Sequence, residues 1–199
     1  MTLLNHRRAL MFNTNKLPLN YQEVEYIQNE TPVYIDTGIS IAPNLDFETK
    51  VQLVHTDNTS QSIWGGRVST SEGYQLSCVK SNGVLQFMTS KGAASASRKL
   101  DYEIHVYKAV DKCLYIDDVL CYDKSSSSNV SLYNYPIYLF ATNTAGAAGF
   151  SGGSLKMYYF KIWDKNELVR DFVPCYDKSN QVCGMYDLIT KRFYPMVNF

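Results

Sequence analysis

The run Ser154–Tyr176, SLKMYYFKIWDKNELVRDFVPCY, decides the fold class of this chain. Two strand-like segments flank a polar turn at Asp164-Lys165-Asn166, the second ending at Pro174. In the first segment Leu155, Met157, Tyr159, Lys161 and Trp163 fill one set of alternate positions, and Lys156, Tyr158, Phe160 and Ile162 the other. Both sets carry apolar or aromatic side chains. A strand that is bulky on both faces is covered on both sides, or lies centrally with one face lining a groove. The hairpin is therefore expected inside a sheet and not at its edge.

Outward from this hairpin the chain continues as strand after strand. Glu23–Gln28 and Val33–Thr37 form a first expected pair around the turn Asn29–Pro32, and Asp46–His55 follows with Phe47, Thr49, Val51 and Leu53 on one face. Thr56–Gln61 is a polar loop, and Ser62–Val68 is a short strand with a break at Gly65-Gly66. Gly73–Lys80 and Val84–Thr89 flank Asn82-Gly83, a strong hairpin signal because both residues tolerate positive φ. Lys91–Arg98 is a small-residue loop. In Asp101–Ala109, Tyr102, Ile104, Val106 and the following Val110 share a face, which places the alternating His105 toward solvent. Lys112–Ile116 and Val119–Tyr122 form a hairpin around Asp117-Asp118. After the serine loop Ser125–Ser128 come a buried-type strand, Pro136–Thr142, and a flexible loop, Asn143–Gly153. Cys183–Leu188 and Arg192–Tyr194 close the chain around Thr190-Lys191. About a dozen short strands with turn signals every eight to twelve residues or so mean an all-β sandwich or barrel. Residues 1–16 differ: they are a short amphipathic helix capped by Thr2, or an extended arm that orders against a partner.

With 199 residues, one domain with a sizeable core is the expectation. Lys plus Arg equals Asp plus Glu at 19 each, so no global charge draws the chain to nucleic acid or an anionic membrane. No apolar run approaches the roughly 20 residues of a membrane span, and the opening MTLLNHRRALMFNTNK lacks a signal-peptide pattern. Five cysteines suit free thiols in a reducing cytosol. Cys113 with Cys121 and Cys175 with Cys183 flank hairpin turns and could face one another, so cross-strand disulfides are the alternative. Zinc is disfavoured, because no C-x-x-C knuckle or neighbouring histidine is present.

Several motifs occur together and in order: YQEVEYIQ (21–28), YIDTGI (34–39), YIDD (115–118), YLFATN (138–143), FKIWDKNELVRDFVPCY (160–176) and GMYDLITKRFY (184–194). This set resembles a family of concanavalin A-like jelly-roll domains, related to the laminin-G type, found in tailed bacteriophages, prophages of gut bacteria and bacterial surface proteins. The likeness covers Leu17–Phe199, and LLNHRRALM (3–11) resembles openings of phage structural proteins with this domain. It departs at Gln28–Pro32, where relatives carry a Ser-Thr-Gly-Thr-Gln turn, and at Pro195–Phe199, which lacks a Gly-rich ending. The resemblance implies two antiparallel sheets packed face to face as a jelly-roll β-sandwich, with terminal strands adjacent.

Jelly rolls of this kind include glycosidases, whose retaining members need two carboxyls about 5 Å apart. No Glu-x-Asp-x-Glu pattern exists here, and Glu23 and Glu25 belong to a solvated edge. No Ser-His-Asp or Cys-His grouping and no phosphate-binding glycine loop is present, so the chain is expected to be non-enzymatic and without a cofactor. Laminin-G relatives often bind calcium; Asp57, Asn58, Asn143 and Thr144 are the candidates, but no dense acidic loop supports a metal. Arg170-Asp171 is a structural charge pair closing the sheet end. Glycan binding is the sharper expectation, with Trp64, Arg67, Tyr74 and Asn143 supplying aromatic and polar groups. Three functions follow: a virion structural protein that assembles with other virion proteins as a homo-oligomer and attaches to host-surface polysaccharide; a carbohydrate-binding adhesion module of a bacterial surface protein; or a disfavoured glycoside hydrolase. The first implies synthesis in the host cytoplasm and residence in the virion, with neither nucleic acid nor membrane insertion involved.

Overall fold

The computed structural model describes residues 17–55, 60–69, 71–79, 83–89, 94–99, 101–126, 128, 131, 133–149 and 153–198. These residues form strands and no helix. The chain opens with β1 (Tyr21–Glu23), β2 (Ile27–Gln28), β3 (Val33–Ser40) and β4 (Leu45–His55). Then come β5 (Gln61–Ser69), β6 (Glu72–Val79), β7 (Val84–Met88) and β8 (Ala94–Lys99). Next are β9 (Ile104–Val110), β10 (Cys113–Ile116), β11 (Val119–Asp123), β12 (Pro136–Leu139), β13 (Thr142–Thr144) and β14 (Ala147–Gly149). The chain ends with β15 (Ser154–Asp164), β16 (Glu167–Asp177), β17 (Val182–Asp187), β18 (Arg192–Pro195) and β19 (Val197–Asn198).

Two sheets pack face to face as a β-sandwich. The first has the order β11-β10-β9-β4-β15-β16-β17-β18, with β1 added to β16 and β2 to β15. The second runs β19-β3-β12-β5-β6-β7-β8, with β13 beside β5 and β14 beside β13. The β15–β16 hairpin lies inside its sheet, as expected, turning through Lys165 and Asn166 with φ of 49° and 68°. Such a pair of left-handed residues is what a two-residue hairpin needs to match strand twist. The two-sided apolar look of β15 has a different cause from the one expected. A bulge between Met157 and Tyr159 shifts the register against β4, so Leu155 and Met157 face the core before it, and Phe160 and Ile162 after it. One extra residue inverts which positions point inward.

The core joins the sheets through aromatic rings. Phe47 on β4 stacks on Trp64 on β5 with centroids 4.4 Å apart, and Phe160 on β15 closes on both at 6.1 and 6.2 Å.

Several local expectations give way. β2 and β3 are not a hairpin: β2 pairs with β15, whereas β3 pairs with β12 and β19 in the other sheet. The intervening corner is tied by buried Asn29, which donates to the Gly153 carbonyl (3.0 Å) and accepts from the Leu155 amide (2.9 Å). Gly65-Gly66 does not break β5, because both positions stay in the ladder to β6. Residues 94–99 form a strand beside β7, and the loop expected at 143–153 contains the β13–β14 hairpin. The alternative of paired cysteines is out of register: Cys113 lies opposite Asp123, and Cys175 opposite Gly184. All five thiols are free. Residues 1–16 lie outside the described residues, as do Asp57 and Asn58.

His105 is the clearest reversal. Its cross-strand neighbour on β4 is fully buried Val51, so it faces inward and is only 9% exposed, whereas Ile104 is on the solvent face. Its ring is clamped by two carboxylates, Nδ1 to Asp117 Oδ2 at 2.6 Å and Nε2 to Asp101 Oδ1 at 2.7 Å. Burial alone would lower its pKa, but the hydrogen bonds and charges of Asp117 and Asp101 outweigh it, and the net shift is upward. The imidazolium therefore stabilises the fold fully below the unfolded value of about 6.5, and that contribution is lost as pH rises through the higher folded value.

Two outcomes are expected. Trp64→Ala empties the inter-sheet stack and lowers unfolding free energy by about 3–5 kcal/mol in urea titrations. The stability gap between the natural chain and His105→Asn, followed between pH 5 and 9, is widest at the acidic end and narrows above neutrality. A gap that does not change with pH would refute the clamp's role.

Candidate functional site

Strands β5, β6 and β13 bring the four sequence candidates together. Gly66 lies opposite Tyr74 on β6, and the parallel pairing of β13 sets Asn143 beside Gly66 and Thr144 beside Arg67. Three of the four are absorbed by the framework. Trp64 is 1% exposed in the core stack and offers no platform to solvent. Tyr74 is buried against Phe47 at 5.6 Å, and its hydroxyl is met by the backbone amides of Asn44 and Leu45. Burial first, and then the nearby Asp46 charge, push its pKa up to about 12. Asn143 is fully buried: Nδ2 donates to the Pro136 carbonyl (3.0 Å) and Oδ1 accepts from the Gly146 amide (2.9 Å), fixing the β13–β14 turn. Arg170 is structural as expected, but Asp171 is not its partner. Its Nε donates to the Thr37 carbonyl (3.2 Å) across the sandwich and lies 3.6 Å from buried Asp187.

Arg67 remains on the solvent side, half-buried, in a field of neutral polar groups. Its Nε donates to Thr144 Oγ1 at 2.9 Å and its Nη1 to Gln75 Oε1 at 3.2 Å. Gln75 passes the chain on, its Nε2 donating to Ser77 Oγ at 2.8 Å, and the Ser62 and Thr142 hydroxyls are 2.8 Å apart nearby. Gly65 permits this closeness, since a Cβ there would meet Thr142 Oγ1 at 2.9 Å and Gln75 Cγ at 3.2 Å. Register places an aromatic pair on the same face: Gly65 lies between Gln75 on β6 and Tyr138 on β12, and residues directly opposite share a face. Tyr138 stacks on Tyr34 with centroids 4.4 Å apart. Burial lowers the Arg67 pKa from its ordinary value.

Gln75, Ser77, Ser62, Thr142 and Tyr138 were not among the sequence candidates, and Thr144 was named only for calcium. Their signal was present in the alternation of Gly73–Cys78, where Tyr74, Leu76 and Cys78 point into the inter-sheet core and Gly73, Gln75 and Ser77 lie on the other side of the strand, also buried.

Two other surfaces compare with this one. A cleft of about 280 Å³ at the sandwich end is lined by Asn44, Asp46, Tyr74, Asp111, Lys112 and Lys165. Its turns are tied together, the Asp111 amide donating to Asp46 Oδ1 (3.0 Å) and the Lys165 amide to the Asn44 carbonyl (3.3 Å). The solvent face of the first sheet carries ordinary charge pairing and cation–π contacts: Lys108 to Asp118 at 2.6 Å, and the Lys156 and Lys50 ammoniums 4.6 and 5.3 Å from the Tyr26 and Tyr158 rings. Among the described residues no cluster of three His, Cys, Asp or Glu side chains is arranged to hold a metal.

No family model and no curated protein matches the chain. Among solved structures, an uncharacterised protein of Mycobacterium paratuberculosis is similar at a TM-score of 0.43 and 11% identity, over 69% of this chain and 81% of the other. The CBM40 of a Ruminococcus gnavus IT-sialidase, bound to α2,3-sialyllactose, gives 0.39 and 12%, over 69% and 90%. A Trypanosoma rangeli sialidase in complex with the inhibitor DANA gives 0.37 and 10%, over 69% of this chain and 27% of that one. At these identities and scores none of them indicates what this chain does.

Removing the Asn143 amide leaves the Pro136 carbonyl and the Gly146 amide without their partner. Asn143→Ala is expected to cost about 1–3 kcal/mol of stability in chemical denaturation, as befits a framework residue.

Proposed function

We propose that this domain is a non-catalytic carbohydrate-binding module whose ligand lies where half-buried Tyr34, Tyr138, Arg67 and Thr144 reach solvent on the outer side of β3, β12, β5 and β13. The observation that carries this reading is the Tyr34–Tyr138 stack on the same side as half-buried Arg67 and Thr144, backed by a buried hydrogen-bonded row of Ser62, Gln75, Ser77 and Thr142. Sugar hydroxyls both donate and accept, and Thr and Tyr hydroxyls do the same. The apolar faces of a sugar ring suit a tyrosine surface. The opposite sheet supplies the contrast within one molecule, since its solvent face carries Lys50, Lys108, Lys156 and Lys161 with Glu48 and Asp171.

Absence of catalysis is part of the proposal. A retaining glycosidase needs two carboxyls about 5 Å apart. In the row Asp36–Tyr138–Gly65–Gln75–Met88 the single carboxylate is Asp36, and its Oδ1 already accepts from the Gly38 amide at 2.8 Å. A tailed-phage particle, with virion partners and homo-oligomeric assembly, is proposed as one setting on the resemblance of the sequence motifs alone. An adhesion module of a bacterial surface protein would use the same face.

On a glycan array the purified chain is expected to retain a defined set of oligosaccharides. Tyr138→Ala and Tyr34→Ala, each checked for retained thermal unfolding, should weaken that binding about tenfold or more, as loss of a stacking anchor does. Failure to bind any glycan, or full binding by both variants, would sink the proposal.

A further inference from the structure

We propose that the ligand on this face is an acidic glycan, and that the Arg67 guanidinium receives its carboxylate. This rests on the carbohydrate-binding reading and adds to it the chemical class of the sugar. The chain's other described cations in comparable surroundings are compensated. Arg170 has Asp187, Lys108 has Asp118 and Glu48, and Lys50, Lys156 and Lys161 lie over tyrosine rings. Arg67 is not. Every acidic side chain of the chain except Asp57 is among the described residues, and none of them pairs with it. Glu72, the carboxylate nearest along the β5–β6 pair, accepts instead from Ser131 Oγ at 3.3 Å.

Of the five N–H donors of a guanidinium, two are used, Nε and one on Nη1, and both go to neutral oxygens. No described group accepts from Nη2. The residue opposite Arg67 on β6 is Gly73, which has no side chain to cover the guanidinium from that strand. Thr144 and Gln75 thus hold the plane of the fork while leaving part of its edge free. A cation removed from bulk water without a counter-charge is unfavourable, and an arriving anion relieves it. The planar fork matches a carboxylate bidentately, which a lysine cannot do. The half-buried Thr144 hydroxyl is placed to take a sugar hydroxyl once the acid group is anchored, while buried Gln75 and Ser77 hold the guanidinium from beneath.

The test compares neutral oligosaccharides, uronate-containing oligosaccharides and the same uronates after carboxyl reduction, first on an array and then by titration calorimetry with the full chain. Uronates are expected to bind preferentially and to lose that preference on reduction. Arg67→Gln should weaken uronate binding about 10- to 100-fold, the contribution of a hydrogen bond to a charged group. Arg67→Lys, which keeps the charge without the fork, should recover only part of it. Lys156→Ala on the opposite sheet should leave the Kd unchanged, and circular dichroism should show each variant folded. Equal binding of neutral and acidic sugars, or an indifferent Arg67→Gln, would overturn the acidic assignment while leaving the carbohydrate-binding reading standing. No glycan bound at all would overturn that reading and this one together.

Discussion

The structure depends on one contact, the stack of Phe47 on Trp64. These rings belong to different sheets, and at 4.4 Å they set how closely β4 and β5 approach. Phe160 closes the group from β15, and Tyr74 leans on Phe47 from β6. Aromatic rings of this size contribute large buried area and prefer the offset and edge-on geometries seen here. With free thiols, the described residues join the two sheets chiefly by such burial, with the Arg170 bond to the Thr37 carbonyl crossing between them. Trp64 looked like a ligand platform because large aromatics near glycines suit both uses. Its partner decides between them, and that partner lies seventeen residues back along the chain on another sheet.

The fold was legible in the sequence where turn chemistry was strong. Lys165-Asn166 and Asp117-Asp118 adopt the paired left-handed conformation, and the hairpins they close are where the sequence placed them. Sheet membership was not legible. The corner at Asn29–Pro32 carries ordinary hairpin punctuation, yet the flanking strands enter different sheets, because Asn29 bonds to Gly153 and Leu155 far along the chain. Inside–outside assignment failed where periodicity is ambiguous. Around His105 both alternating sets contain apolar residues, and the inward one contains the histidine because Asp101 and Asp117 supply the bonds that water would have made. In β15 the two-sided pattern records a bulge.

The candidate site shows the same division. Arg67 stood out as a residue, but its significance lies in what does not accompany it, and a missing counter-ion can be seen only in three dimensions. The neutral side chains around it are individually unremarkable strand residues. Gathered on one side and mostly buried there, they make that side of the sandwich chemically unlike the charged outer face of the opposite sheet.

Gly65 and Gly66 connect this surface to the core. Added at Gly66, a Cβ would meet Ile137 and Ile41 at 3.0 and 3.1 Å, inside the sandwich. At Gly65, on the opposite side of the same strand, it would meet Thr142 and Gln75. Two adjacent residues without side chains thus let the interior close beneath β5 and the polar network close above it. The strand is thinnest where Trp64 anchors it from within and Arg67 emerges three residues later. The rigidity that positions the guanidinium therefore comes from the Phe47–Trp64 stack below, and a binding face built there inherits the order of the core.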